Sequence, residues 1–289
     1  MNFVLEIVQL CINGILSGAV LAIPAIGFTL MFAVQGFPNF GISGHLAVGA
    51  FAGWALNSYG GVSIWLAIPG GLIAAGLVGV AIDELIFRRM RSAAPITLAI
   101  VSVAVTLFLE NALRFGFGNS LRTFQVPLAR DWSLGELRFG VQQLKTVAWS
   151  IGIMAILFGV LRFTQLGRAV RATADNKALA SVKGIDTEGI ARLTVFLGMG
   201  LAGASGILLG IDTSIDPQIG FRIMLSVFAA AVVGGLGSIP GAVLGAFVIG
   251  IAEEMSQVIL PATYKSAVGF ALILLFLTFR PSGLLGERR

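Results

Sequence analysis

The chain has 289 residues, of which 57% are hydrophobic and only 11% charged, with a mean hydropathy of +0.95. Soluble domains carry about 25% charged residues, and a soluble fold of this size has no interior that could hide so much apolar surface. The composition excludes a soluble globular protein and points to an all-α polytopic membrane protein.

The formal net charge is +5 and the pI about 10.0. In an apolar chain this excess reads as Lys and Arg on cytoplasmic loops, so nucleic acid is not expected as a partner. The one cysteine, Cys11, excludes an internal disulfide, and the one histidine, His45, excludes a histidine-rich metal site. Glycine supplies 38 residues, which suits helices packed closely in lipid and also helices that break. The start MNFVLEIV has no basic region, and its apolar run continues to Val34, so no cleavable signal is expected.

Nine apolar stretches follow in order, at about 4–34, 42–57, 62–87, 95–117, 146–163, 190–211, 222–236, 240–260 and 265–279. A span needs about 20 residues. The first stretch is too long for one upright helix, and those at 42–57, 222–236 and 265–279 are short. Eight or nine membrane helices are expected, some of them tilted, kinked at Pro24 or Pro69, broken or re-entrant.

If the stretches alternate in direction, Arg88, Arg89, Arg91, the basic residues of 162–192, Arg280, Arg288 and Arg289 share one side, twelve of the nineteen in all. The seven others, among them Arg114, Arg122, Arg130, Arg138 and Lys145, fall on the opposite side. The richer side is cytoplasmic by the positive-inside tendency, which places the N-terminus outside. The outer loop 118–145 holds Asn119, Pro127, Asp131 and Gly135. Its LRFGVQQL alternates, as a short strand or interfacial element would, and the loop reads equally as a docking surface or a plain connector.

The inner loop 163–190 carries more information. Gln165 to Thr173 is helix-compatible, Asp175-Asn176 is a stop and an N-cap, Lys177 to Lys183 is helical again, and Gly184 stands where a helix ends. Arg168 and Arg171 are three apart and project from one face. Two short capped helices with small faces suit the groove of a cytoplasmic partner. A loop lying on anionic headgroups fits the same pattern, and the residues alone leave both open.

The run GRAVRATADNKALASVKGID resembles the cytoplasmic coupling loop of ABC importer permeases of the branched-chain amino acid branch, in particular the smaller, H-type subunit. AAAVVGGLGSIPGAVLGAFVIGIAEE at 229–254 and RPSGLLG at 280–286 resemble the late segments of the same family. GFTLMFAVQGFPNFGISGHLAVGAF at 27–51 fits more loosely: where the family has an Asn-Phe-Ala-His-Gly-like run, this chain has Asn39-Phe40-Gly41 and moves the histidine to His45. That departure bears on the substrate rather than on the family.

The resemblance implies one transmembrane permease domain over 1–289, with a cytoplasmic coupling loop at 163–190 and a periplasmic loop at 118–145, in a bacterial inner membrane. Its implied partners are a second homologous permease, two cytoplasmic ATP-binding subunits, a periplasmic substrate-binding protein and membrane lipid. Gly167, Arg168, Arg171, Ala172, Asn176, Ala180, Gly184 and Ile185 would touch the ATPase. The chain has no GxxxxGK[ST] run, so ATP and magnesium would be bound by the partner ATPase, with no cofactor and no catalytic residue here. Branched-chain amino acids, urea and short amides, or aromatic acids are the substrates that the resemblance leaves open.

Polar groups inside apolar stretches are the pathway candidates. They are Asn39, His45, Glu110 and Asn111, with Gly235 and Gly237 in the run 234–241, which reads equally as a helix break or as a tight turn at the membrane surface, and a second break at 36–44. Gly36, Pro38 and Gly41 favour Asn39, because broken backbone exposes dipoles. Glu110 reads equally as a buried structural hydrogen-bonding group, His45 as packing, and Glu253 and Glu254 as structural or interfacial. Two other classes compete. Gly203-Ala204-Ser205-Gly206 matches an intramembrane serine protease run, but a nucleophile needs a base within reach, and no histidine follows Ser205. An autonomous secondary transporter or channel would want a carboxylate-rich ion site and no docking loop.

Overall fold

A computed structural model describes residues 3–126, 132–134, 137–261, 264–280 and 282–286. The helices are α1 (Phe3–Gln35), α2 (Ile42–Ser58), α3 (Ile64–Leu85), α4 (Pro95–Phe117), α5 (Val141–Phe163), α6 (Gln165–Asp175), α7 (Lys177–Val182), α8 (Thr187–Asp212), α9 (Ile219–Gly234), α10 (Ile239–Met255) and α11 (Lys265–Phe279). Strands β1 (Trp132–Leu134) and β2 (Leu137–Phe139) form an antiparallel hairpin that pairs Trp132 with Phe139 and Leu134 with Leu137. The expected strand in LRFGVQQL is therefore β2, and α5 begins straight after it. Pro127, Arg130, Asp131, Gly135, Arg288 and Arg289 lie outside the described residues.

All nine apolar stretches are helical, as apolar backbone in lipid must be to satisfy its own N–H and C=O groups. Among the described residues six helices are long and apolar enough to cross a membrane, namely α1, α3, α4, α5, α8 and α10, whereas α9 and α11 are shorter. The count of eight or nine spans is not reached on that measure. Pro24 and Pro69 stand inside α1 and α3 without ending them.

The core runs along α1 and α8, where Ile23, Ile26, Phe28, Met31, Met199, Ile207 and Leu208 are fully buried. Small residues set the spacing. A Cβ on Gly49 would overlap the Gly203 backbone, and one on Gly27 would meet the Gly198 carbonyl. This is the close packing that lipid demands, since it gives no hydrophobic push between helices.

Gly49, Gly53 and Leu46 of α2 face Gly203, Ile207 and Gly206 of α8, and Gly79 of α3 faces Met199 and His45. Met199 is about 18 Å along α8 from Thr187 at 1.5 Å per residue. So α2 starts well inside the bundle, and residues 36–41 lead the chain back up from the end of α1. From the other direction, residues 213–218 re-enter after α8, and α9 starts against α2, with Gly220 on the Ser43 backbone. The two expected breaks therefore differ. The one at 36–41 reaches the interior, whereas Gly235 and Gly237, with φ of 107° and 93°, make the turn between α9 and α10. The C-terminal residues close that turn, Leu284 N–H donating to Val233 O (2.8 Å) and Leu285 N–H to Gly234 O (3.0 Å).

Candidate functional site: the 163–190 loop and the buried break

Local chemistry builds the inner loop. Thr164 Oγ1 caps α6 by accepting from Gly167 N–H (3.3 Å). Asn176 ends α6 and caps α7 through Leu179 N–H (2.9 Å), and Asp186 caps α8 through Gly189 N–H (3.0 Å). Gly184, at φ 83°, closes α7, with Ile185 N–H donating to Ala180 O (3.1 Å). Gly167 lets α6 fold sharply back on α5, because a Cβ there would overlap the Leu161 carbonyl. The guanidinium of Arg171 donates to that same carbonyl.

Val170, Thr173 and Ala180 face inward, whereas Leu166, Leu179 and Val182 are exposed, Val182 at 83%. Arg168 is exposed too, and its guanidinium has no partner among the described residues. Ala172 lies half-buried between the two faces. The loop thus presents an apolar edge flanked by free positive charge, held by four backbone closures.

A chain of ion pairs joins this loop to the bundle. Lys177 Nζ lies 3.2 Å from Glu188, Arg91 pairs with Glu188 and approaches Asp83 at 3.7 Å, and Gln35 Nε2 donates to Asp83 Oδ1 (3.0 Å). Arg192 pairs with Glu84, as does Arg88 (2.6 Å). Gln35 is the last residue of α1, immediately before the buried break. Sequence reading missed this network, although the acidic pair Asp83-Glu84 in an apolar helix was a visible signal.

Within the break, Asn39 is buried and its Oδ1 accepts from Gly41 N–H (3.0 Å). Phe40 N–H donates to Ser102 Oγ (2.9 Å), and Thr106 Oγ1 donates to Phe40 O (3.0 Å). Ser43 Oγ lies 3.1 Å from Thr106 Oγ1 and 3.6 Å from Met224 Sδ of α9. His45 Nδ1 sits 2.7 Å from Gly41 O, while its Nε2, fully buried, has no partner among the described residues. Ser102 and Thr106, one turn apart on α4, satisfy the unwound backbone, as such backbone requires at membrane depth. Their i,i+4 spacing was the readable sign.

Other candidates fall elsewhere. Glu110 turns inward, its Oε1 without a hydrogen-bond partner among the described residues, within electrostatic reach of Arg114 and Asp216. Asn111 turns outward and donates to Leu107 O (2.7 Å). Gly235 and Gly237 belong to the inner turn described above. Ser205 Oγ donates to Val20 O (3.4 Å) inside the core. Gly206 beside it admits the Leu46 carbonyl, which a Cβ would overlap. Glu253 and Glu254, read as structural, border a cavity at the opposite end from the loop.

A family model described as "Branched-chain amino acid transport system / permease component" matches residues 10–277. The chain belongs to that family. It is 31% identical to the high-affinity branched-chain amino acid transport system permease protein LivH of Escherichia coli K12, over 98% of this chain and 96% of LivH. It is also 26% identical to the LivM permease protein of the same strain, over 91% of this chain and 67% of LivM. Among solved structures, PsaBC from Streptococcus pneumoniae in complex with Fab shares the fold at a TM-score of 0.50 and 12% identity, covering 93% of this chain and 91% of that one. The chain is thus a multi-pass inner-membrane permease subunit and not an enzyme, which removes the protease reading of Ser205.

Proposed function

We propose that this permease is the pore-forming subunit of an ATP-driven importer for branched-chain amino acids or related small polar solutes. It works by alternating access beside a second homologous permease, as its likeness to both LivH and LivM suggests. Separate cytoplasmic ATPases bind ATP and magnesium, and a periplasmic binding protein delivers the solute. The observation that carries the reading is the α6–α7 hairpin, capped at every end, with Leu166, Leu179 and Val182 exposed beside Arg168. A loop that only joins two spans has no need of four caps or of an apolar outer edge. Where α2 and α9 complete a crossing, they do so with the re-entrant segments before them, and with the short α11 the crossings come to nine.

Closure of the ATPase dimer moves α6 and α7. Lys177, Glu188, Arg91 and Asp83 carry that movement to the end of α1, and the 36–41 break with the α2–α9 contact then shifts. Coupling of this kind needs an element with two arrangements, and two short helices meeting end to end inside the bundle supply one. The test is Arg168→Glu with Arg171→Glu in the reconstituted transporter. Substrate-stimulated ATP hydrolysis should fall to the unstimulated rate while the subunit stays inserted; unchanged stimulation overturns the docking role. Transport by the lone chain in liposomes would instead establish an autonomous transporter.

A further inference from the structure

The outer end of the bundle holds a cavity of about 530 Å³ among α1, α5, α8, α9, α10 and α11. Small-molecule sites occupy about 300–1,000 Å³, so the space suits a solute of amino-acid size. Five ionisable residues border it, namely Asp212, Arg222, Glu253, Glu254 and Lys265. Their pairing is uneven. Glu254 is satisfied by Lys265, Gln257 and Ser17. Among the described residues Glu253, 8% exposed, accepts only from Ser226 Oγ (2.6 Å) and has no basic partner within ion-pair distance. Asp212 has neither a hydrogen bond nor an ion pair among the described residues.

A carboxylate inside a membrane bundle normally pairs with a cation, because an isolated buried charge is very costly. Glu253 has acceptor sites left over, and the cavity lies against them. Arg222 meets Asp216 at 2.7 Å, yet a guanidinium has five donors and holds a second carboxylate readily. Leu16, Val20 and Ile223 add apolar wall. Anion-binding and cation-binding groups therefore stand with apolar surface around one partly open space.

We propose that this cavity binds an α-amino acid as its zwitterion, the ammonium on Glu253 with Asp212 beside it, the carboxylate on Arg222, and an apolar side chain against Leu16, Val20 and Ile223. The substrate class rests on the importer reading; the need for an ammonium group rests on the buried Glu253 carboxylate, which lacks a cation among the described residues. Arg222 and Ser226 lie on α9, whose Gly220 and Met224 touch Ser43 of α2. Occupancy thus acts on the same helix contact that the inner network reaches from the other end.

The experiment is thermal unfolding of the purified full chain in detergent, titrated with L-leucine, with 4-methylpentanoate (no ammonium) and with 3-methylbutylamine (no carboxylate). Leucine should raise the Tm saturably, and either analogue should need about tenfold higher concentration, as loss of one charge-assisted contact predicts. Glu253→Gln and Arg222→Gln should each weaken the leucine effect by a similar factor. Asp212→Asn, a near-isosteric change at an exposed residue, should weaken it severalfold and carries the test if Glu253→Gln does not fold. A Tm unmoved by leucine, a shift retained in these variants, or a phospholipid co-purified in the cavity overturns the proposal. The importer reading is judged separately by the Arg168/Arg171 variant: intact coupling without leucine binding overturns the cavity alone, and leucine binding without coupling overturns the docking role alone.

Discussion

At the inner end of the bundle Asp83, Glu84 and Glu188 each meet an arginine or a lysine, and Asp83 also has Gln35. At the outer end Glu253 meets only a serine hydroxyl, and Asp212 meets nothing among the described residues. The inner carboxylates are completed by the protein and act as mechanical ties between α1, α3, α7 and α8. The outer ones are left with capacity facing a cavity. On the proposed reading the fixed pairs pass on movement, and the unfilled carboxylate takes a solute.

This contrast can be broken in order of expected effect. Gly220→Val should act most strongly, because it wedges α9 off the Ser43 backbone at the contact proposed to link the two ends. Overpacking of that kind costs about 3 kcal/mol or more, read as loss of folded protein in a denaturation series. Arg91→Ala comes next. It leaves buried Asp83 with Gln35 alone and should destabilise by about 2 kcal/mol, less than a fully buried pair because Arg91 is partly exposed. Adding Asp83→Asn should restore part of that loss, and simple additivity in the double-mutant cycle would show that the two residues are not coupled.

Glu253→Gln should have the opposite sign. Without ligand it should leave stability unchanged or raise it by about 1 kcal/mol, since it removes an unpaired buried charge. A large loss of stability there would mean that Glu253 is a structural tie like Asp83. The smallest effect is expected for Lys177→Ala, whose exposed pair with Glu188 contributes under about 1 kcal/mol. Its signature should be functional: weaker stimulation of ATP hydrolysis at nearly unchanged Tm.

The inner loop was largely legible in the chain because its signals are local. Asn176 and Gly184 act within four residues of themselves, so α6, α7 and their boundary could be read directly. The pathway candidates were not legible in that way. Asn39 serves its own turn, Asn111 faces outward while Glu110 faces inward, and Gly235 and Gly237 form the tight turn that was one of two readings of their run. Each is a polar or flexible residue in an apolar run, and such a pattern gives no direction around the helix. Glu253 was set aside because it stands near a helix end; that end borders the cavity.

The residues alone determined that the chain lies in a membrane, that nine stretches are helical, which end carries more positive charge, and which family it joins. Those follow from composition and from interactions within a turn or two. Only the tertiary structure decided that α2 and α9 begin inside the bundle. Their starting depth is set by neighbours far away in sequence, namely Ser102 and Thr106 under residues 36–41, and Gly220 against Ser43. Which carboxylates are paired was decided there too, because an ion pair depends on where two distant helices bring their ends together.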